Sequence, residues 1–108
     1  MDNKIKTIVD ALQEIKTAPI GIKTESEYKD LTNKYNMMFL GSKFNVITSL
    51  ELSHYLRENI DSSISHEFLM SVLPKIKDDL SLELEAQILL EDIEKTERKT
   101  ANYLIYLF

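Results

Sequence analysis

The chain has 108 residues, a formal net charge of −5, no cysteine, and only two glycines and two prolines. The absence of cysteine excludes disulfides, thiolate metal sites and a cysteine nucleophile, and it fits a reducing cytoplasm. No apolar run is long enough to span a bilayer, so we expect no membrane segment. Because all-β folds spend glycine and proline on turns, the composition predicts one all-α domain over residues 1–108.

The acidic excess lies in the later part of the chain. Residues 1–47 carry a net charge of +1, whereas residues 48–80 and 81–108 each carry −3. Proteins that bind nucleic acid usually show a basic patch, because neutralising phosphates supplies much of their affinity. The sequence shows no such patch, and this counts against DNA as a partner.

Residues 3–17 form the first predicted helix. Their apolar side chains recur at the i, i+3, i+4, i+7 spacing of one helical face. This stripe either packs on the chain's own core or pairs with a second subunit. Its members are Ile5, Ile8, Val9, Leu12 and Ile15.

A second helix is predicted over residues 25–40. Thr24 and Glu27 have the spacing of a capping box at its start, and Gly41 stands where a helix end favours a left-handed residue. One face collects aromatic and methionine side chains, which we expect in the core. These are Tyr28, Leu31, Tyr35, Met38 and Phe39.

Residues 46–80 are the best-defined stretch and predict two short helices joined by a polar turn. Thr48 and Glu51 form a second capping box before a helix of about residues 49–59. Ser63 or Ser65 caps the next helix. Pro74 falls inside the apolar pattern of that helix and predicts a kink or a break, because proline removes one backbone donor.

The last 28 residues are compatible with two secondary structures. Alternation of apolar residues from 82 to 90 suits a strand, whereas strong helix formers and i, i+4 ion pairs suit a helix. On composition we predict one long helix over about residues 82–106, with a hairpin as the alternative. The nearly all-apolar end, residues 103–108, must be buried in the chain's own core or in a partner.

Signals for catalysis are weak. The two glycines cannot supply a phosphate-binding loop, and no nucleophile has an evident base beside it. His54 and Glu58 could share a metal ion, but two ligands do not make a site. We therefore expect no enzymatic activity, no cofactor and no bound metal.

The residues from Ile47 to Leu56 and from Ile64 to Ile76 resemble a helix-turn-helix of the winged type. Together with the helices predicted before and after it, we expect about five helices around a helix-turn-helix core at about residues 46–80. The resemblance implies that the second helix enters the major groove of duplex DNA. If residues 82–108 formed a hairpin, its connection would be a basic wing tip. The residues implied in DNA contact are Ser65, His66, Ser71, Lys75, Lys77, Lys95, Arg98 and Lys99.

Two functions follow as expectations. The first is a small cytoplasmic DNA-binding transcriptional regulator that acts as a homodimer. The second is a non-enzymatic protein-binding factor, such as an adaptor, an immunity-type protein or an inhibitor, because Glu67 repels phosphate and the second helix carries no arginine to read guanine. Residues expected to contact a partner or a second copy are Ile5, Val9, Leu12, Tyr103, Leu104, Leu107 and Phe108.

Overall fold

The computed structural model describes residues 3–88 and 100–108. Within this part of the chain are four helices and one three-stranded antiparallel sheet, so the fold is α+β. The predicted all-α class with five helices is wrong. The elements are α1 (Asn3–Thr17), α2 (Glu25–Tyr35), β1 (Val46–Thr48), α3 (Ser49–Asn59), α4 (His66–Ile76), β2 (Glu83–Ile88) and β3 (Thr100–Tyr106).

Side-chain caps set the starts of three helices, as the sequence predicts. The hydroxyls of Thr24, Thr48 and Ser65 each accept the backbone N–H three residues later, at 3.1, 3.2 and 3.0 Å. Each bond satisfies one of the N–H groups that a helix start leaves unpaired. The predicted helices over 3–17 and 49–59 are confirmed with those bounds.

The second helix is shorter than predicted. It ends at Tyr35 instead of residue 40, because Asn36 takes the left-handed conformation at φ 50° that was expected of Gly41. Beyond it the chain is extended, and Leu40 pairs with Val46. Residues 37–39 therefore alternate in burial: Met38, predicted in the core, is 51% exposed, and the residues on both sides of it are buried.

Pro74 does not break α4. The helix continues to Ile76, and the N–H of Lys77 donates to the carbonyl of Leu73 at 3.0 Å. Pro74 is exposed, so its ring meets solvent and not the core. The carbonyl of Met70 loses its i+4 donor, which is the local cost of proline within a helix.

The predicted helix over residues 82–106 is wrong: β2 and β3 pair there as an antiparallel hairpin. β3 also pairs with β1, giving the order β1-β3-β2, with Ile47 opposite Ile105. The alternation of burial near the end of the chain fits a strand, because Ile105 and Leu107 are buried while the residues between and around them are not. A helix would have spread these apolar side chains around its axis.

One cluster of buried side chains joins the sheet to all four helices. It draws on one face of each helix and on the inner face of β1 and β3. The outer face of α4 and the outer edge of β2 lie outside this cluster. Its largest fully buried members are Tyr35, Phe39, Ile8, Leu12, Ile15, Ile47, Leu52, Leu56, Ile64, Leu69, Leu73 and Ile105.

Candidate interaction surface

Helices α3 and α4 pack against each other, and α4 turns one face outward. Its inner face, including Leu69 and Leu73, is fully buried. Its outer stripe consists of Glu67, Ser71, Pro74 and Lys75, all of them exposed. The stripe therefore carries one negative and one positive side chain. It lacks the net positive charge expected of a surface that follows the phosphates of DNA.

Three of the residues predicted to read bases have polar atoms that bind within the chain. Ser65 Oγ caps α4. Ser71 Oγ donates to the carbonyl of Phe68 at 2.6 Å, and His66 Nε2 lies 2.9 Å from Ser49 Oγ. Each internal bond uses part of the hydrogen-bonding capacity of its side chain and fixes its orientation, while a further donor, acceptor or ring nitrogen stays available. The geometry thus restricts how these residues could reach a base edge.

The predicted phosphate contacts are few. Lys75 is exposed on α4, whereas Lys77 Nζ lies 3.0 Å from Asp78 Oδ1. Asp78 and Asp79 follow directly, so the acids around the end of α4 offset the two lysines. Lys95, Arg98 and Lys99 lie outside the described residues, and their place in a basic wing tip stays a prediction.

A polar node, defined here as Ser49, His66, Gln87 and Asn102, links the helices to the hairpin. Ser49 is fully buried, and its Oγ lies 2.6 Å from Asn102 Oδ1 and accepts the N–H of Tyr103 at 2.9 Å. Because Asn102 Oδ1 can only accept, the single hydroxyl proton goes to it. His66 Nε2 must then carry the proton that it donates to Ser49 Oγ. The hydroxyl thereby donates one hydrogen bond and accepts two, and the sulfur of Met70 lies 3.4 Å from the same oxygen.

Asn102 holds the node together from the middle of β3. Its Oδ1 accepts a second bond from the N–H of Leu50 at 3.0 Å, and its Nδ2 donates to Gln87 Oε1 at 2.7 Å. These bonds tie the start of α3 to both strands of the hairpin. Sequence reasoning missed the node. The one available signal was an asparagine within an apolar, strand-compatible segment, where asparagine is normally disfavoured.

The Ser49–His66 pair does not have the properties of a nucleophile and its base. Ser49 has no exposed surface, so a substrate carbonyl cannot reach its oxygen, and its proton is donated to Asn102. Burial, followed by the charge of Arg57, lowers the pKa of His66. His66 is therefore neutral at pH 7 and adds no positive charge to α4. The pair stabilises the fold.

The residues predicted to contact a partner divide into two groups. Leu12 and Leu107 are buried in the chain's own core, and Ile5, Val9 and Tyr103 pack against it. Leu104 is half-buried, whereas Phe108 is 45% exposed and its carbonyl accepts from Asn45 Nδ2. Of this set, Phe108 is the side chain most open to another molecule.

An acidic shelf, defined as Asp78, Asp79, Glu83 and Glu85, lies where α4 passes into β2. A tight turn through Ser81 (φ 53°) brings the two elements together. The N–H of Leu82 donates to the carbonyl of Lys77 at 2.8 Å. All four carboxylates are exposed, and an open hollow of about 540 Å³ lies between Asp78 and Glu83. The shelf carries four negative charges, and two lysines lie beside it: Lys77, paired with Asp78, and Lys16, whose Nζ donates to the carbonyl of Leu80.

Two further findings concern metal ions and membranes. In residues 3–88 and 100–108, no group of three histidine, cysteine or acidic side chains is placed to hold a metal ion. His54 Nε2 and Glu58 Oε1 lie 3.0 Å apart as an exposed pair along α3. None of the described helices has the length and apolar character needed to cross a membrane.

Comparison with known proteins gives no relative: the chain matches no family model, no curated protein and no solved structure.

Proposed function

We propose that this chain is a non-enzymatic protein-binding domain that recognises a basic partner through α4 and the acidic shelf. The observation that carries the proposal is the charge of this surface. From Glu67 to Glu85 the exposed or half-exposed side chains include five acids and two lysines, and one of the lysines pairs with Asp78. Exposed carboxylates attract a positively charged partner and repel phosphate.

The hydrogen bonds of α4 support the same conclusion. Ser65, His66 and Ser71 would be the polar side chains nearest a DNA groove, and each is bonded within the chain. What remains free on the outer stripe is Glu67 and Lys75. A protein partner binds such a face through complementary shape and charge, whereas DNA would require several basic side chains in contact with its phosphates.

The experiment is an NMR titration of the isotope-labelled chain at low salt, with poly-L-lysine in one series and random-sequence duplex DNA in the other. We expect the polypeptide to shift amide resonances at the end of α4 and in β2, and the duplex to shift none. Asp78→Lys should weaken binding of the polypeptide, whereas Asp10→Lys, the same change on the exposed face of α1, should weaken it less. Shifts across residues 65–77 with DNA alone would refute the proposal.

A second candidate is the DNA-binding regulator, and the order of the elements favours it. A helix-turn-helix followed by an antiparallel hairpin that pairs with the strand before it is the arrangement of the winged type that residues 46–80 resemble. In this candidate Lys75 and Lys77 would contact phosphates. A homodimer would use Phe108 and half-buried residues of α1, because Leu12 and Leu107 belong to the core.

Salt dependence distinguishes this candidate from the first. If Lys75 and Lys77 neutralise phosphates, replacing both with alanine should reduce the slope of log affinity against log salt by about two. If the duplex does not bind the wild-type chain at low salt, this candidate fails. Both candidate functions include a cytoplasmic location, which is expected from the absence of cysteine.

A further inference from the structure

The outer edge of β2 combines free backbone groups with negative side chains. In the sheet order β1-β3-β2, the described residues of β2 pair with β3 on one side only. Alternate residues of an edge strand direct their N–H and C=O groups away from the sheet, where another extended chain can bind them. This edge therefore offers a template for one more strand.

The side chains of β2 separate by face. Glu85 accepts a hydrogen bond from the hydroxyl of Tyr106 at 2.6 Å, and Gln87 accepts one from Asn102. These contacts place Glu83, Glu85 and Gln87 on the outer face, since alternate residues of a strand share a face. Leu84 lies on the other face, packed against the core. A strand added at this edge meets carboxylates on one face and apolar groups on the other.

We propose that the edge of β2 binds an extended segment of a partner protein in which basic and apolar residues alternate. The basic side chains would lie opposite Glu83 and Glu85, and the apolar ones beside Leu84. This inference rests on the proposed function, because it identifies the kind of partner segment that the acidic surface binds. Strand addition is a recurrent mode of peptide recognition, in which main-chain bonds supply affinity and alternate side chains supply specificity.

Charge favours a basic segment over a second copy of this chain as the occupant. Pairing two β2 edges would bring acidic side chains of both copies together on one face, and like charges opposite each other destabilise a strand pair. Charged residues on an edge strand are a common protection against self-association. The carboxylates that repel the β2 edge of a second copy attract the basic side chains of a partner strand.

The test uses two peptides of equal composition and about seven residues, the length of an edge strand. In one peptide lysine and valine alternate; in the control the lysines form one block. Fluorescence anisotropy with the full chain measures affinity, and amide shifts locate the site. We expect the alternating peptide to bind more tightly than the block peptide and to shift amides of residues 83–88 most.

Charge exchange provides the matched variants. Glu83→Lys should weaken binding of the alternating lysine peptide about fivefold, which is the change in affinity expected from one cross-strand charge pair. It should also strengthen an alternating glutamate–valine peptide. Asp10→Lys makes the same change of charge on the exposed face of α1 and should leave the affinity within about twofold of the wild type, because a charge away from the added strand is largely screened.

Equal binding of the two lysine peptides, or shifts centred on residues 66–77, would overturn strand addition while leaving the proposed protein-binding function in place. Failure of the lysine peptides and of poly-L-lysine to bind would overturn both. The amide shifts are measured on the wild-type chain, so the result does not depend on the folding of a variant.

Discussion

Replacing Asn102 with alanine tests whether the polar node holds the hairpin against the helices. The change removes the acceptor of the Ser49 hydroxyl and of the Leu50 N–H. Ser49 is fully buried, so leaving its hydroxyl with only the weak thioether acceptor of Met70 costs about 1–3 kcal/mol. Leu50 lies at the surface, where water can replace the lost bond, and this loss costs about 0.5–1.5 kcal/mol.

A change of tautomer limits the loss. If the proton of His66 moves from Nε2 to the other ring nitrogen, Nε2 becomes an acceptor and the Ser49 hydroxyl can turn to it. We therefore expect Asn102→Ala to lower the free energy of unfolding by about 2 kcal/mol, near the lower end of the summed range. For a domain of this size, that loss lowers the melting temperature by roughly 10 °C.

Urea denaturation followed by circular dichroism measures this loss. Asn33→Ala, an exposed position on α2, is the matched control and should change stability by less than about 0.5 kcal/mol. A double-mutant cycle with Ser49→Ala should give a coupling energy of about 1 kcal/mol or more, because the two side chains are bonded directly. A loss for Asn102→Ala no larger than that of the control would refute the node as a structural link.

The remaining predictions concern a cap, the core and pH. Thr24→Ala should cost about 1 kcal/mol in urea denaturation, because it removes the cap of α2, and Thr24→Ser should restore most of the loss. Leu69→Ala should cost about 2–5 kcal/mol, since Leu69 is fully buried, and retention of wild-type stability would contradict its place in the core. Burial lowers the pKa of His66 in the folded chain, so the unfolded chain takes up more protons as pH falls below the unfolded value of 6.5. The melting temperature should therefore fall between pH 7.5 and pH 5.5, and an equal fall in His66→Gln would contradict this cause.

Local signals predicted the helix starts and failed at the end of α2. A capping hydroxyl and its N–H partner lie three residues apart, so Thr24, Thr48 and Ser65 could be read from the sequence. The end of α2 depends on Asn36 taking a left-handed conformation, which the pattern of apolar residues does not encode. Met38 fitted a helical face in the sequence, although the chain there is extended.

The hairpin and the polar node depend on contacts between distant parts of the chain. Apolar spacing in residues 82–90 fits both a strand and a helix, and helix propensity favoured the wrong one. Pairing of β3 with β1 decides the structure, and it joins Ile47 to Ile105. Likewise Ser49 and Asn102 are 53 residues apart, so no local pattern could show that the side chain of Asn102 accepts a hydrogen bond from the hydroxyl of Ser49. The acidic character of the surface, by contrast, was visible in the charge distribution.

The most direct test of the central claim, that the surface of α4 and β2 binds a basic protein segment and not DNA, is one pair of anisotropy titrations at low salt. One uses the alternating lysine–valine peptide and the other a random-sequence duplex, each carried to about 100 µM of the chain, the weak end of non-specific DNA binding. We predict a saturable rise with the peptide and a flat curve with the duplex. A flat curve with the peptide together with a salt-sensitive rise with the duplex would contradict the claim.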